Sequence, residues 1–168
     1  MKNIRMKLLF LLQITSLLFI VGCENTQEAM SEEMPEDFNF SLTYGTYGKQ
    51  KIDTFRNIVV KDLIADGTIK ANIALTKEEK QAIYNEMKKI NIMGDLNLDE
   101  TKECHLEPPS ETKWRIHMNG KTKKFSYKTF CDYPQNILNL IELERFIDEL
   151  VSKKKEYLDL PERSGGYL

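Results

Sequence analysis

Residues able to carry chemistry on their own are few in this chain. Three cysteines (Cys23, Cys104 and Cys131) and two histidines (His105 and His117) stand beside 26 acidic side chains. The histidines belong to no spaced ligand pattern: His105 directly follows Cys104, His117 lies on the outer side of an alternating segment, and neither His-Glu-x-x-His nor Cys-x-x-Cys occurs. Zinc is therefore not expected. Asp95, Asn97 and Asp99 match the first three ligand positions of a calcium loop, but Glu100 stands where the sharp turn needs glycine and Leu106 where a bidentate glutamate belongs. A polar loop is the reading. No Gly-x-Ser-x-Gly elbow, phosphate-cradling glycine loop or dinucleotide fingerprint is present, and nothing in the spacing selects two carboxylates that converge as acid and base. The expectation is no catalytic residue, no metal and no cofactor, with a small hydrolase whose active site leaves no motif as the alternative.

The chain has 168 residues, 24 basic and 26 acidic, with 41% apolar side chains, which is ordinary for one globular domain. It is too short for a two-lobed solute-binding protein, a large barrel enzyme or a polytopic transporter. A net charge of -2 offers no argument for nucleic acid.

The clearest signal is at the start. Lys2, Arg5 and Lys7 precede an apolar run from Leu8 to Val21 broken only by Gln13, Thr15 and Ser16, which is the anatomy of an export signal and is shorter than the roughly 20 residues of a membrane-spanning helix. The run ends in Ile20-Val21-Gly22-Cys23. This segment resembles the lipobox of bacterial lipoproteins. The resemblance covers residues 1–23 and implies a signal peptide over 1–22, cleavage before Cys23, and a lipid-bearing Cys23 that holds the protein at the extracytoplasmic face of the cell membrane. Beyond it the chain is similar only to small uncharacterised surface lipoproteins. An exported chain meets an oxidising compartment, so Cys104 and Cys131 are expected to pair, closing a loop worth about 3 to 4 kcal/mol in the chain-entropy model. Free thiols, or thiols used for catalysis or metal, are the other readings.

Residues 23–37 hold six acids and no base, which reads as a flexible acidic stalk spanning roughly 20 Å. Residues 38–168 read as one α+β domain, an antiparallel sheet of about five strands packed by two helices in the order βββαββα. Phe38, Phe40, Leu42 and Tyr44 alternate with polar residues as in a half-buried strand, a second strand is expected over Thr54 to Leu63, and Asp66-Gly67 turns into a third bearing Ile69, Ala71, Ile73 and Leu75 on one face. Thr76 and Glu79 form a capping box that opens a helix, and Gly94 is expected to stop it. Trp114, Ile116 and Met118 alternate toward Asn119-Gly120, a type I′ turn, and Phe125 and Tyr127 return on the same side. A long helix is expected from about Pro134, apolar over more than a third of its circumference and so buried across the sheet. The tail Pro161 to Leu168 is expected to fold back on the domain or to serve as a docking segment.

That hairpin carries the one compositional patch. Six bases (Lys113, Arg115, Lys121, Lys123, Lys124 and Lys128) stand against the single acid Glu111. With the apolar face buried, Lys113, Arg115, Lys124 and Lys128 point outward beside His117. This is either a solvated hairpin whose charges discourage sheet extension, or a contact surface for something anionic: an envelope polymer, lipid headgroups, an acidic protein or the chain's own stalk. Nucleic acid is not an expected partner, given the extracytoplasmic address. The functional expectation is a membrane-anchored, non-enzymatic binding or interaction module of the cell envelope.

Overall fold

The computed structural model describes residues 30–98, 107–128 and 132–167. The leader, Cys23, the first part of the stalk, Asp99, Cys104, His105 and Cys131 lie outside the described residues. The rest is α+β. Six strands, β1 (Asn39–Tyr44), β2 (Gln50–Asp53), β3 (Ile58–Ile64), β4 (Gly67–Asn72), β5 (Glu111–Met118) and β6 (Lys121–Lys128), accompany helices α1 (Lys77–Lys89), α2 (Gln135–Ser152) and α3 (Lys155–Leu158). They form one antiparallel sheet in the order β4-β3-β2-β1-β5-β6. The first four strands meander, α1 carries the chain away, and β5 returns to pair with the free edge of β1.

The element count corrects the expected order to ββββαββαα. The expected second strand is interrupted because Asp53 accepts the Phe55 N–H at 3.1 Å and Asn57 adopts φ 54, closing a turn. Ahead of that turn, Gln50–Asp53 has a single aliphatic residue, Ile52, and owes its strand form to ladders with β1 and β3 on both sides. Gly94 does not stop α1 either. The helix ends at Lys89, Asn91 takes the left-handed conformation at φ 46, and the Gly94 N–H closes the following turn on Asn91 O at 2.8 Å.

Elsewhere the pattern of residues matches the elements. The Thr76–Glu79 capping box is formed in both directions, 3.2 and 2.7 Å. Asn119 and Gly120, at φ 50 and 69, make the I′ turn. Pro134 caps α2, whose Ile137, Leu140, Leu143, Ile147 and Val151 are buried with Ile83, Tyr84 and Met87 of α1 against Phe40, Leu42, Ile52, Trp114 and Ile116 of the sheet. Both long helices therefore cover one face. The tail folds back: Ser164 bridges to Ile64, with Ser164 N to Leu63 O at 3.2 Å and Ala65 N to Ser164 O at 3.1 Å.

Residues 30–37, expected to belong to a flexible stalk, lie against the domain. Met30 and Met34 pack on the core, the Tyr84 hydroxyl donates to Ser31 O at 2.9 Å, and Lys88 pairs with Glu32 at 2.6 Å. The sequence pattern hid this because the anchoring residues are two methionines spaced among acids, with no strand or helix period.

Candidate functional site

The hairpin projects its bases where the alternation put them. In the β5–β6 register Arg115 faces Lys124, Glu111 faces Lys128 and His117 faces Thr122, while Trp114 faces Phe125 on the helix side. Lys113, Arg115, Lys124 and Lys128 are exposed and His117 is half-buried. Pairing with β1 then extends this face beyond the hairpin, because Thr43 sits between Lys113 and Lys51, and Ser41 between Arg115 and Asp53. Continuing across β3, Val60 aligns Lys51 with Lys70. One row thus runs Lys70, Val60, Lys51, Thr43, Lys113, Ser126, with a base on every second strand and so about 10 Å apart. Lys51 and Lys70 were missed in the sequence, since only the sheet order brings them beside the hairpin.

The acids of this face are held. Asp53 is 4% exposed and takes Lys51 Nζ at 3.3 Å and Arg56 Nε at 3.5 Å. Asp62, also buried, accepts the Ile64 N–H at 3.0 Å and the Tyr167 hydroxyl. Glu111 pairs with Lys113 at 2.8 Å. Arg115 lies 4.3 Å above the Phe55 ring, which leaves the edge of its guanidinium available to an acceptor. Lys123, counted with the patch in the sequence, belongs to the other side: its ammonium donates to Ile92 O at 2.9 Å and to Gly94 O, and burial holds its pKa below the usual lysine value.

One end of the face already holds an anion from the chain itself. Asp37 receives the Asn119 N–H at 2.8 Å and the Gly120 N–H at 2.7 Å, with His117 Nε2 3.4 Å from the same carboxylate. The Gly120 and Asn119 amides hold the Asp37 carboxyl below the ordinary aspartate value, and His117 contributes in the same direction. The distal stalk is therefore a partner of the turn, whereas Lys113, Arg115 and Lys124 lie farther along the sheet.

The helix side carries a second polar group that the sequence reading missed. Tyr44, Thr112 and Tyr127 end three adjacent strands, and two carboxylates one turn apart on α2 receive their hydroxyls. Tyr44 donates to Asp148, and Thr112 and Tyr127 donate to Glu144 at 3.1 and 3.3 Å. Burial raises the Glu144 carboxyl above its ordinary value; the two hydroxyl donors oppose the rise and Asp148 adds to it. Burial also raises Tyr44 and Tyr127, with Asp148 and Glu144 respectively as the next contributions. A legible signal existed in the i, i+4 spacing of Glu144 and Asp148 inside an apolar arc. These contacts dock a helix on a sheet: Thr112 and Tyr127 share one oxygen of Glu144, and Tyr44 takes one oxygen of Asp148.

The partial calcium motif is also used internally. Asp95 accepts the Asn97 N–H at 3.0 Å, and Asn136 donates to Leu96 O at 2.7 Å, so the loop is pinned to α2. Among the described residues no group of three or more His, Cys, Asp or Glu side chains is placed to hold a metal, and no helix is long and apolar enough to cross a membrane. No protein-family model matches the chain, and a search of curated proteins returns no match.

Proposed function

We propose that this protein is a lipid-anchored binding module of the cell envelope, held by Cys23 at the extracytoplasmic face of the membrane, and that the open sheet face docks an extended anionic envelope polymer. The supporting observation is the spacing of bases: Lys70, Lys51 and Lys113 on alternate strands, with Arg115 and Lys124 in the neighbouring row. Charges repeated at about 10 Å across one sheet face suit a chain of repeated phosphates or carboxylates better than one compact anion. The small hydroxyl residues beside them, Ser41, Thr43 and Ser126, add donors without obstructing approach. Two acyl chains on Cys23 would hold the protein at the surface without help from the domain. Pairing of Cys104 with Cys131 belongs to the same reading.

The test is retention of the purified protein on immobilised polyphosphate across a salt gradient. Binding is expected to weaken steadily with ionic strength, and the triple variant K113E/R115E/K124E is expected to elute with the unbound fraction. Equal retention of the triple variant would return the hairpin to a merely solvated surface. Vesicles of anionic lipid, run in parallel, separate polymer binding from headgroup binding.

A further inference from the structure

On the helix side, at the end of the sheet away from the hairpin turn, a cavity of about 340 Å³ opens between β3, the end of α2, α3 and the tail. Its lining includes Lys61, Asp148, Ser152, Tyr157, Glu162 and Arg163. The tail's bridge to Ile64 brings Glu162 and Arg163 over the opening, so the site exists only once the C-terminal segment has docked.

Lys61 makes this cavity unusual. The residue is 5% exposed, on the helix side of β3 opposite Ile69, just before the register shift between Asp62 and Ile64. The other lysines that bury part of their length each reach an oxygen: Lys80 bonds Asn39 at 2.9 Å, Lys123 bonds Ile92 O at 2.9 Å, and Lys154 bonds Glu79 at 2.8 Å. The Lys61 ammonium has no hydrogen bond or ion pair among the described residues, only the Tyr157 ring at 4.9 Å. The Lys61 stem is buried, and its ammonium meets the cavity with no anionic acceptor of its own. An anionic oxygen entering the cavity would supply that acceptor, near Arg163, whose guanidinium donates to Gln50 at 2.7 Å and has further N–H groups.

We infer that this cavity binds a free α-amino acid, its carboxylate on Lys61 and its ammonium toward Asp148 and Glu162. The charge pattern selects this class. Two bases and two acids line the space, so a phosphate or other polyanion meets repulsion from both carboxylates, and a simple monocarboxylate leaves the acids without a cation. The volume is at the small end for ligand sites and suits one residue. Leu158, 64% exposed at the mouth, offers an apolar contact to the ligand's side chain.

The experiment is a thermal-shift and calorimetric screen of the full protein with the free amino acids, with propionate, ethylamine and inorganic phosphate as partial mimics. At least one amino acid is expected to raise the melting temperature saturably, and each partial mimic to bind at least tenfold more weakly. Lys61→Met is expected to lose binding at least tenfold while leaving the melting temperature of the unliganded protein close to that of the unaltered one, a combination that a purely structural lysine would not produce. Ser152→Leu, which fills the cavity and leaves the buried ammonium in place, is expected to lose binding as well and decides the matter if Lys61→Met fails to fold. No response to any amino acid, binding by both variants equal to the unaltered protein, or a partial mimic that binds as tightly would each overturn the assignment.

Discussion

On its helix side the sheet presents Phe40, Leu42, Ile52, Val59, Trp114 and Ile116, all buried; on the other side the same strands present Ser41, Thr43, Lys51, Lys113 and Arg115. Both faces follow from one period of two, yet they answer to different physics. The covered face depends on shape: its aromatic rings contact at 5 to 7 Å centroid distances, such as Phe38 on Tyr84 at 5.3 Å edge-on and Phe40 on Trp114 at 6.4 Å, and any lost volume leaves a void. The open face depends on charge, which long solvated side chains can rearrange at little cost. A face that contributes little to stability is free to be shaped by a partner.

The largest effect is expected where shape rules. Leu140→Ala, at a fully buried position of α2, should cost about 2 to 5 kcal/mol in chemical denaturation; a loss near zero would mean that α2 is not a core element. A smaller effect is expected from the carboxylates that dock α2. Burial raises the Glu144 carboxyl above 4.5 in the fold, so the folded state keeps this proton to a higher pH than the unfolded chain does. Its contribution to stability is thus full below the unfolded value and is lost as pH rises through the folded one. Glu144→Gln keeps an acceptor for Thr112 and Tyr127 and should flatten the decline in denaturation midpoint above pH 4.5, with the variant at least as stable at pH 7. An unchanged slope would assign that pH dependence elsewhere.

Asp37 works with the opposite sign and more locally. Its lowered value means that the clamp on the turn is complete above the ordinary aspartate value of 3.8 and is lost as pH falls through the folded one. Asp37→Asn should speed hydrogen exchange at the Asn119 and Gly120 amides, leave exchange in the centre of β5 unchanged, and remove the acid dependence of the turn. Protection that stays the same would show that the hairpin turn needs no clamp. Smallest of all on stability is K113E/R115E/K124E, expected within about 0.5 kcal/mol of the unaltered protein. A large loss there would erase the contrast between the faces, because the bases would then be holding the fold together.

Legibility divides along similar lines. The β5–β6 hairpin could be read to the residue, since alternation and Asn119-Gly120 are local signals that tertiary structure had no reason to override. β2 could not, because four residues with a single aliphatic side chain become a strand only between two partners. The outward set Lys113, Arg115, Lys124 and Lys128 was visible, and Lys123 was left out of it; what the sequence did not tell is that its ammonium caps the carbonyls after α1, a helix end 31 residues earlier in the chain. Glu144 and Asp148 looked like ordinary helix acids until the hydroxyls of three strands were set beneath them.

Local order along the chain therefore determined the class of each strong element, the caps and turns and the polarity of each strand face, and it carries the resemblance of residues 1–23 to a lipoprotein leader, because each depends on neighbours within a few residues. Tertiary structure alone decided which bases share a row, which lysine is buried without an acceptor, and that Met30, Met34 and Asp37 belong to the domain. Those facts depend on sheet order, which sets Thr43 against Lys113, and on contacts such as Asp37 with Asn119, 82 positions apart, and periodicity carries no information about which distant segments will meet.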